Sequence, residues 1–110
     1  MVNQFDIVNL DPIKGAEKGE NRHCVIVSNN LVNANSSFVW ALPITSREPK
    51  YATDIPLKTK QQNVKGVIDS VQIKSLDIKS RGYKVVDQLQ DNLHPFLLEA
   101  IEAHIKIIDS

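Results

Sequence analysis

The chain has a single cysteine, Cys24, so neither an intrachain disulfide nor a cysteine-cluster zinc site is available to it, and a reduced setting fits. It has no excess of charge. Thirteen Lys/Arg balance thirteen Asp/Glu, which removes any global basic signal for nucleic acid. No apolar run approaches the ~20 residues needed to span a bilayer. The opening Met-Val-Asn-Gln-Phe-Asp lacks the basic and apolar regions of a signal peptide, so a soluble, cytoplasmic protein is expected. Internal repeats and low-complexity segments are absent. So are a Ser/His/Asp order, a phosphate-cradling loop and a His-x-x-x-His pair. The three histidines, His23, His94 and His104, are too scattered to argue a metal site.

What remains is ordinary in bulk and uneven in detail. A length of 110 residues, 42 % hydrophobic and 24 % charged, fits one folded domain over residues 1–110. Residues 1–84 carry 12 Lys/Arg against 8 Asp/Glu, and residues 85–110 carry 1 against 5. That basic excess permits a polyanion site in the first part of the chain.

Patterning predicts mostly short strands and one terminal helix. Phe5–Leu10 alternates in part, His23–Ser28 is a β-branched run, and Phe38–Ile44 is a third strand whose Pro43 implies a sheet edge or a strand end. Leu31–Asn35 reads as a brief helical turn after Asn29 and Asn30. Tyr51–Leu57 alternates, and Lys58–Lys65 reads as a mobile, solvated loop. Gly66–Leu76 reads as one strand with Val67, Val71 and Ile73 inward. Asp77–Arg81 is a helical turn ended by Gly82, and Tyr83–Leu89 a last strand. From about Pro95, Leu97, Ile101, Ile105 and Ile108 recur at helical spacing, with Leu98 and His104 beside the stripe. A small twisted or barrel-like sheet covered by a helix is the expected architecture.

Three polar stretches stand out from this frame. The connection Asp11–Arg22 is long for a compact domain, is broken by Pro12, Gly15, Gly19 and Asn21, and ends in an arginine at the mouth of a strand. Thr45-Ser46-Arg47 comes straight off the third strand. Asp69-Ser70-Val71-Gln72 is followed by Ser75-Leu76-Asp77. On composition alone, Arg22 is a solvated loop residue or a salt-bridge partner of Glu17 or Glu20, and Thr45 and Ser46 are ordinary turn residues.

Together these stretches resemble the MazF/PemK family, the endoribonuclease toxins of bacterial toxin–antitoxin modules. Members read Gly-Asp-Ile, then Asp-Pro-x-x-Gly-Ser-Glu-Gln-Gly-x-Arg-Pro, then a β-branched strand with an Asn near its end. Asp6-Ile7, Asp11-Pro12, Gly15, Glu17, Arg22 and Val25–Asn29 match in order. Pro43-Ile44-Thr45-Ser46 matches the family's Pro-Ile-Thr-Ser, and Gln72-Ile73-Lys74-Ser75-Leu76-Asp77 its Gln-x-x-(Ser/Thr)-Leu-Asp. Ala16, Lys18, Glu20, His23 and Ser70 depart from the usual residues, without removing one thought to do chemistry.

The resemblance implies a mainly β fold with short helices, a small SH3-like, CcdB/MazF-like β barrel with a C-terminal helix. It implies a homodimer that cuts single-stranded mRNA at specific sequences, without metal or cofactor. The 2′-hydroxyl attacks its own phosphate, leaving a 2′,3′-cyclic phosphate and a 5′-hydroxyl. By this resemblance Arg22 is the acid/base and charge stabiliser and Thr45 a hydrogen-bonding stabiliser of the phosphorane. Glu17, Lys14, Gly15, Lys18, His23, Ser46, Arg47 and Gln72 are the supporting or RNA-binding candidates. Because a guanidinium holds its charge, Arg22 suits electrostatics better than proton transfer, and His23 is the more conventional titrating group. Few aromatics are available for base stacking, so backbone and polar contacts should carry recognition. The expected partner is a MazE-like antitoxin with a disordered acidic tail, through which the toxin also reaches DNA. Rival readings on the same fold are a non-enzymatic, CcdB-like gyrase inhibitor and a catalytically inactive binding module. Glu17 and Gln72 also read as structural residues, His104 as a helix flank or interface residue, and Trp40 as core or dimer interface.

Overall fold

The computed structural model describes residues 1–12 and 22–109. Their elements run β1 (Asp6–Leu10), β2 (His23–Ile26), α1 (Asn30–Asn35), β3 (Phe38–Thr45), β4 (Asp54–Pro56), β5 (Val67–Asp69), β6 (Lys74–Asp77), α2 (Ile78–Arg81), β7 (Tyr83–Gln88) and α3 (His94–Ile105), with a 3-10 turn over Asp91–Leu93 before α3. None of these helices is long and apolar enough to cross a membrane.

The strands form one antiparallel sheet in the order β4-β5-β3-β2-β1-β7, with β6 also paired to β3. Period-two alternation sends neighbouring residues to opposite faces. Ile7, Val25, Leu42, Ile44 and Ile68 build the core that Leu97 of α3 closes, while Val8, Leu10, Cys24, Ile26, Val39 and Ala41 build a second one against Ile78 of α2. Both faces are buried along these strands, so they read as continuous β-branched runs rather than clean alternation.

β4 and β7 end the sheet order, and the chain beyond each draws them together. Lys60 N–H donates to the Gln88 carbonyl (2.9 Å), Gln90 N–H donates to the Lys58 carbonyl (3.0 Å), and Thr59 bridges Leu89. The sheet is therefore barrel-like, drawn together by a short patch instead of a full ladder. This patch corrects the reading of Lys58–Lys65 as a mobile loop. The buried Asp87 carboxylate accepts the N–H groups of Gln61 (2.9 Å) and Asn63 (3.0 Å) and holds the segment down.

Four other expectations change. Pro43 is neither at an edge nor at a strand end, because β3 is central and continues to Thr45. On one flank, Phe38–Ala41 pair with β6 and Ile44–Thr45 with β5, so the residue without an N–H sits at the gap between two ladders. Tyr51–Thr53 belong to a turn, and the fourth strand starts only at Asp54, whose carboxylate accepts the N–H groups of Lys50 (2.8 Å) and Tyr51 (2.9 Å). Gly66–Leu76 is not one strand. Ile44 pairs with Ile68 and Ala41 with Lys74, so the partner of β3 makes an excursion between β5 and β6 that leaves Val71 and Ile73 exposed. Finally, Leu97 is fully buried but Ile105 is 78 % and Ile108 81 % exposed. Only the first half of the helical stripe packs on the core, and Trp40, 56 % exposed, is not a core residue.

α3 is anchored at its start. The His94 ring stacks on Phe5 at 3.8 Å between centroids, and its Nε2–H donates to the Leu89 carbonyl at 3.2 Å. Phe5 has φ 73°, a left-handed conformation unusual for a bulky side chain. Its N–H donates to the Ile26 carbonyl (2.6 Å) and its carbonyl accepts the Leu89 N–H (2.9 Å), so both backbone groups hold it there.

Candidate active site

Strand register relates Arg22 to Thr45. β2 pairs with β3 as Cys24 with Pro43, Val25 with Leu42 and Ile26 with Ala41. The ladder ends there, and the same register continued by two residues leads from Cys24 to Arg22 and from Pro43 to Thr45. The Leu10 N–H donates to the Arg22 carbonyl (2.8 Å) and ties this residue to β1 just before β2 begins. Alternation places Pro43 and Thr45 on the same face as Ala41. Both Arg22 and Thr45 are half-buried.

The backbone around Thr45 is tightly set. Its carbonyl accepts the Arg47 N–H at 3.0 Å, and Thr45 pairs with Val67 of β5. Gly66, at φ +139°, lies so close that a Cβ there would stand 2.2 Å from the Thr45 carbonyl oxygen. Glycine is thus required beside the site, a constraint that the sequence pattern does not signal.

His23 is held below the ordinary imidazole value, first by burial and second by the charge of Arg22, so it is neutral near pH 7. It lines a recess of about 60 Å³ with Leu10, Cys24, Pro43, Lys74 and Arg81. Arg81 Nε–H donates to the Asp11 carbonyl at 2.9 Å, and Lys74 is exposed at the start of β6. Burial pushes the Cys24 thiol up to about 12 despite the Lys74 and Arg81 charges, so it is no nucleophile. Sequence reading missed Lys74 and Arg81. Lys74 stands in the Gln72–Asp77 motif, and only the pairing of Lys74 with Ala41 carries it to this face.

The other candidates are dispersed. Ser46 is exposed on the turn after β3, and Gln72 is exposed on the excursion between β5 and β6, where its N–H donates to the Asp69 carbonyl (3.4 Å). Arg47 faces Asp54, with Nη1 at 2.5 Å and Nη2 at 2.9 Å from its carboxylate, and the guanidinium carbon lies 5.6 Å from the Tyr51 ring centroid. Lys14, Gly15, Glu17 and Lys18 lie outside the described residues. His104 Nε2 donates to the Ser70 hydroxyl (2.9 Å), whose proton goes to the Thr53 carbonyl (2.6 Å), so it ties α3 to the turn after β5. Among the described residues, no three His, Cys, Asp or Glu side chains cluster as metal ligands.

A curled antiparallel sheet with a C-terminal helix, an arginine just before β2, a threonine at the end of β3 and a basic recess between β2, β3 and β6 define a small β protein with a site suited to an anionic group. A family model described as PemK-like, MazF-like toxin of type II toxin-antitoxin system matches residues 3–108, and the chain belongs to this family. It is 26 % identical over 101 residues to the endoribonuclease toxin MazF of Escherichia coli K12, covering 92 % of this chain and 86 % of that protein. The fold matches the crystal structure of MazF from Deinococcus radiodurans at a TM-score of 0.79 and 22 % identity, over 96 % and 97 % of the two chains. It also matches a mycobacterial endoribonuclease in complex with its cognate antitoxin, at a TM-score of 0.77 and 16 % identity, over all of both chains.

Proposed function

We propose that this chain, as one domain over residues 1–110, is the endoribonuclease toxin of a toxin–antitoxin module, cutting single-stranded mRNA at specific sequences in the cytoplasm. What supports the reading is the β2–β3 register, which, continued two residues past the Cys24–Pro43 pair, leads to Arg22 on one chain segment and Thr45 on the other. In the reaction, the 2′-oxygen bonds to the adjacent phosphorus, its proton passes to an acceptor, and the phosphorus–O5′ bond breaks as O5′ gains a proton. The products are a 2′,3′-cyclic phosphate and a 5′-hydroxyl. DNA lacks the attacking group and is not a substrate.

Each residue has a physical task. Arg22 places a positive charge against the dianionic phosphorane, and Thr45 donates a hydrogen bond to a phosphoryl oxygen. His23, neutral beside a cation, suits the acceptor role for the 2′-hydroxyl proton. No step requires a metal ion. A homodimer is supported by the apolar groove of about 430 Å³ between Trp40, Ile73, Leu98, Ile101 and Ile105, a face of the kind that partners cover. A cognate antitoxin is the expected inhibitor, its acidic tail lying along the basic face.

The test is incubation of purified protein with a long single-stranded RNA in EDTA, followed by sequencing of the 5′-hydroxyl ends. A defined cleavage motif, lost in Arg22→Ala, is expected. RNA left intact across a broad pool overturns the proposal.

A further inference from the structure

Neither Lys74, inside the Gln72–Asp77 motif, nor Arg81, beyond it, has a role in the proposed reaction, yet both line the recess beside Pro43. Pro43 stands two residues along β3 from Thr45, a rise of about 6.7 Å. That step is comparable to the spacing of successive phosphates along an extended strand. The recess is small, about 60 Å³, and open at the surface, a shape that suits the oxygens of a phosphate held at the rim. Its walls supply two cations and one imidazole over an apolar floor of Leu10, Ala41 and Leu76. The bond from Arg81 Nε to the Asp11 carbonyl fixes the guanidinium plane, while Lys74 remains an exposed charge at the rim.

We infer that this recess is a second phosphate subsite, in which Lys74 and Arg81 hold the phosphodiester next to the scissile one. The inference rests on the endoribonuclease reading and deepens it. With one phosphate held beside the cleaved one, the strand has a defined direction across Arg22 and Thr45, and the reacting 2′-hydroxyl is set in line. An acidic side chain of a protein partner offers similar charge. The subsite's continuity with the Arg22–Thr45 pair favours the nucleic acid.

The experiment compares the wild type with Lys74→Ala, an exposed substitution that leaves the core intact, checked by an unchanged Tm. The probe is a single-stranded oligonucleotide carrying the mapped cleavage motif with a 2′-deoxy scissile nucleotide, which binds without being cut. Lys74→Ala should weaken binding about fivefold at 0.1 M salt and reduce the slope of log K against log salt by about 0.7, the value for one contact on a single strand. A neutral methylphosphonate at the neighbouring phosphate, placed 5′ in one probe and 3′ in another, should reproduce that loss on the wild type with one of the two and add nothing to it in the variant. With an all-ribose substrate, the loss should appear in KM. An unchanged salt slope, or methylphosphonate losses additive with Lys74→Ala, overturns the subsite while wild-type cleavage preserves the endoribonuclease reading. If Lys74→Ala weakens an acidic peptide and not the oligonucleotide, the recess is a carboxylate site and the inference fails. If the wild type does not cut RNA, both fall.

Discussion

Cys24 pairs with Pro43 at the end of the β2–β3 ladder, and Arg22 and Thr45 lie two residues further along their two chain segments, where the same register leads. Neither is placed by its own neighbours in sequence. The site exists because β2 and β3 are antiparallel with this register, and a one-residue slip would send one of the two to the opposite face.

Arg22→Ala and Thr45→Ala should each reduce single-turnover RNA cleavage by about 10²–10³-fold, the range for losing one preorganised stabiliser. In the proposed reaction the two act on one phosphoryl group, so the double variant should lose less than the product of the single losses. Arg22→Lys should recover much of the binding but little of the rate, since an ammonium lacks the planar fork. Wild-type cleavage by Thr45→Val would remove Thr45 from the mechanism.

His23 should shape the pH profile. In the proposed reaction its neutral form accepts the proton, and burial followed by the Arg22 charge holds its pKa below the ordinary ~6.5. The cleavage rate should therefore rise through a value under ~6.5 and be level by pH 7. His23→Gln should abolish that limb. A limb that persists in His23→Gln assigns the proton transfer to another group.

Gly66→Ala tests the backbone beside Thr45. The new Cβ would lie 2.2 Å from the Thr45 carbonyl oxygen, on a residue at φ +139°. The expected outcome is a loss of stability of at least about 1–3 kcal/mol in urea unfolding, with a fall in cleavage under conditions where the variant remains folded. Full stability and full activity together would show that the close approach is not maintained in solution.

Acid should weaken the fold partly through Asp54. Its carboxyl is held well below the usual carboxylate range, first by the hydrogen bond from Arg47, against the opposing effect of burial, and then by the Lys50 and Tyr51 N–H groups. A depressed folded-state pKa contributes stability that is fully present above the unfolded value near ~3.9 and is lost as pH falls below it toward the folded value. Urea midpoints measured downward from pH 6 should therefore decline more steeply in the wild type than in Asp54→Asn, which begins lower. Parallel curves would contradict the ion pair.

Asp87→Ala should release the 59–63 segment. Three backbone donors, on Gln61, Asn63 and Gln88, lose their acceptor, and the cost should be on the order of 2 kcal/mol. Limited proteolysis should then cut between Lys58 and Lys65, where the wild type resists. Resistance in the variant would mean that the edge patch of Lys60, Gln88, Lys58 and Gln90 holds the segment alone.

The early strands and the start of α3 were legible because local chemistry carries them. β-branched runs form β2 and β3, Asn29 caps α1 by accepting the Val32 N–H (3.0 Å), and Pro95 suits the first turn of α3. Val67, Val71 and Ile73 also alternate as a strand should, yet the excursion between β5 and β6 turns the last two outward. That break depends on which residues of β3 each part pairs with. Arg47 shows the same limit for function. Its charge reads as a nucleic-acid contact, but the turn after β3 and the start of β4 bring Asp54 to its guanidinium.

Residue type, periodicity and spacing are local, so the motifs that carry the family resemblance, the succession of short strands and terminal helix, and the motif residues Arg22 and Thr45 were legible in the chain. The antiparallel pairing of β2 with β3, the turn of Arg47 to Asp54, and the recess that Lys74 and Arg81 share with His23 come from the folded chain alone. Which charges meet depends on long-range register, and register is chosen by how the two buried faces of the sheet pack as a whole.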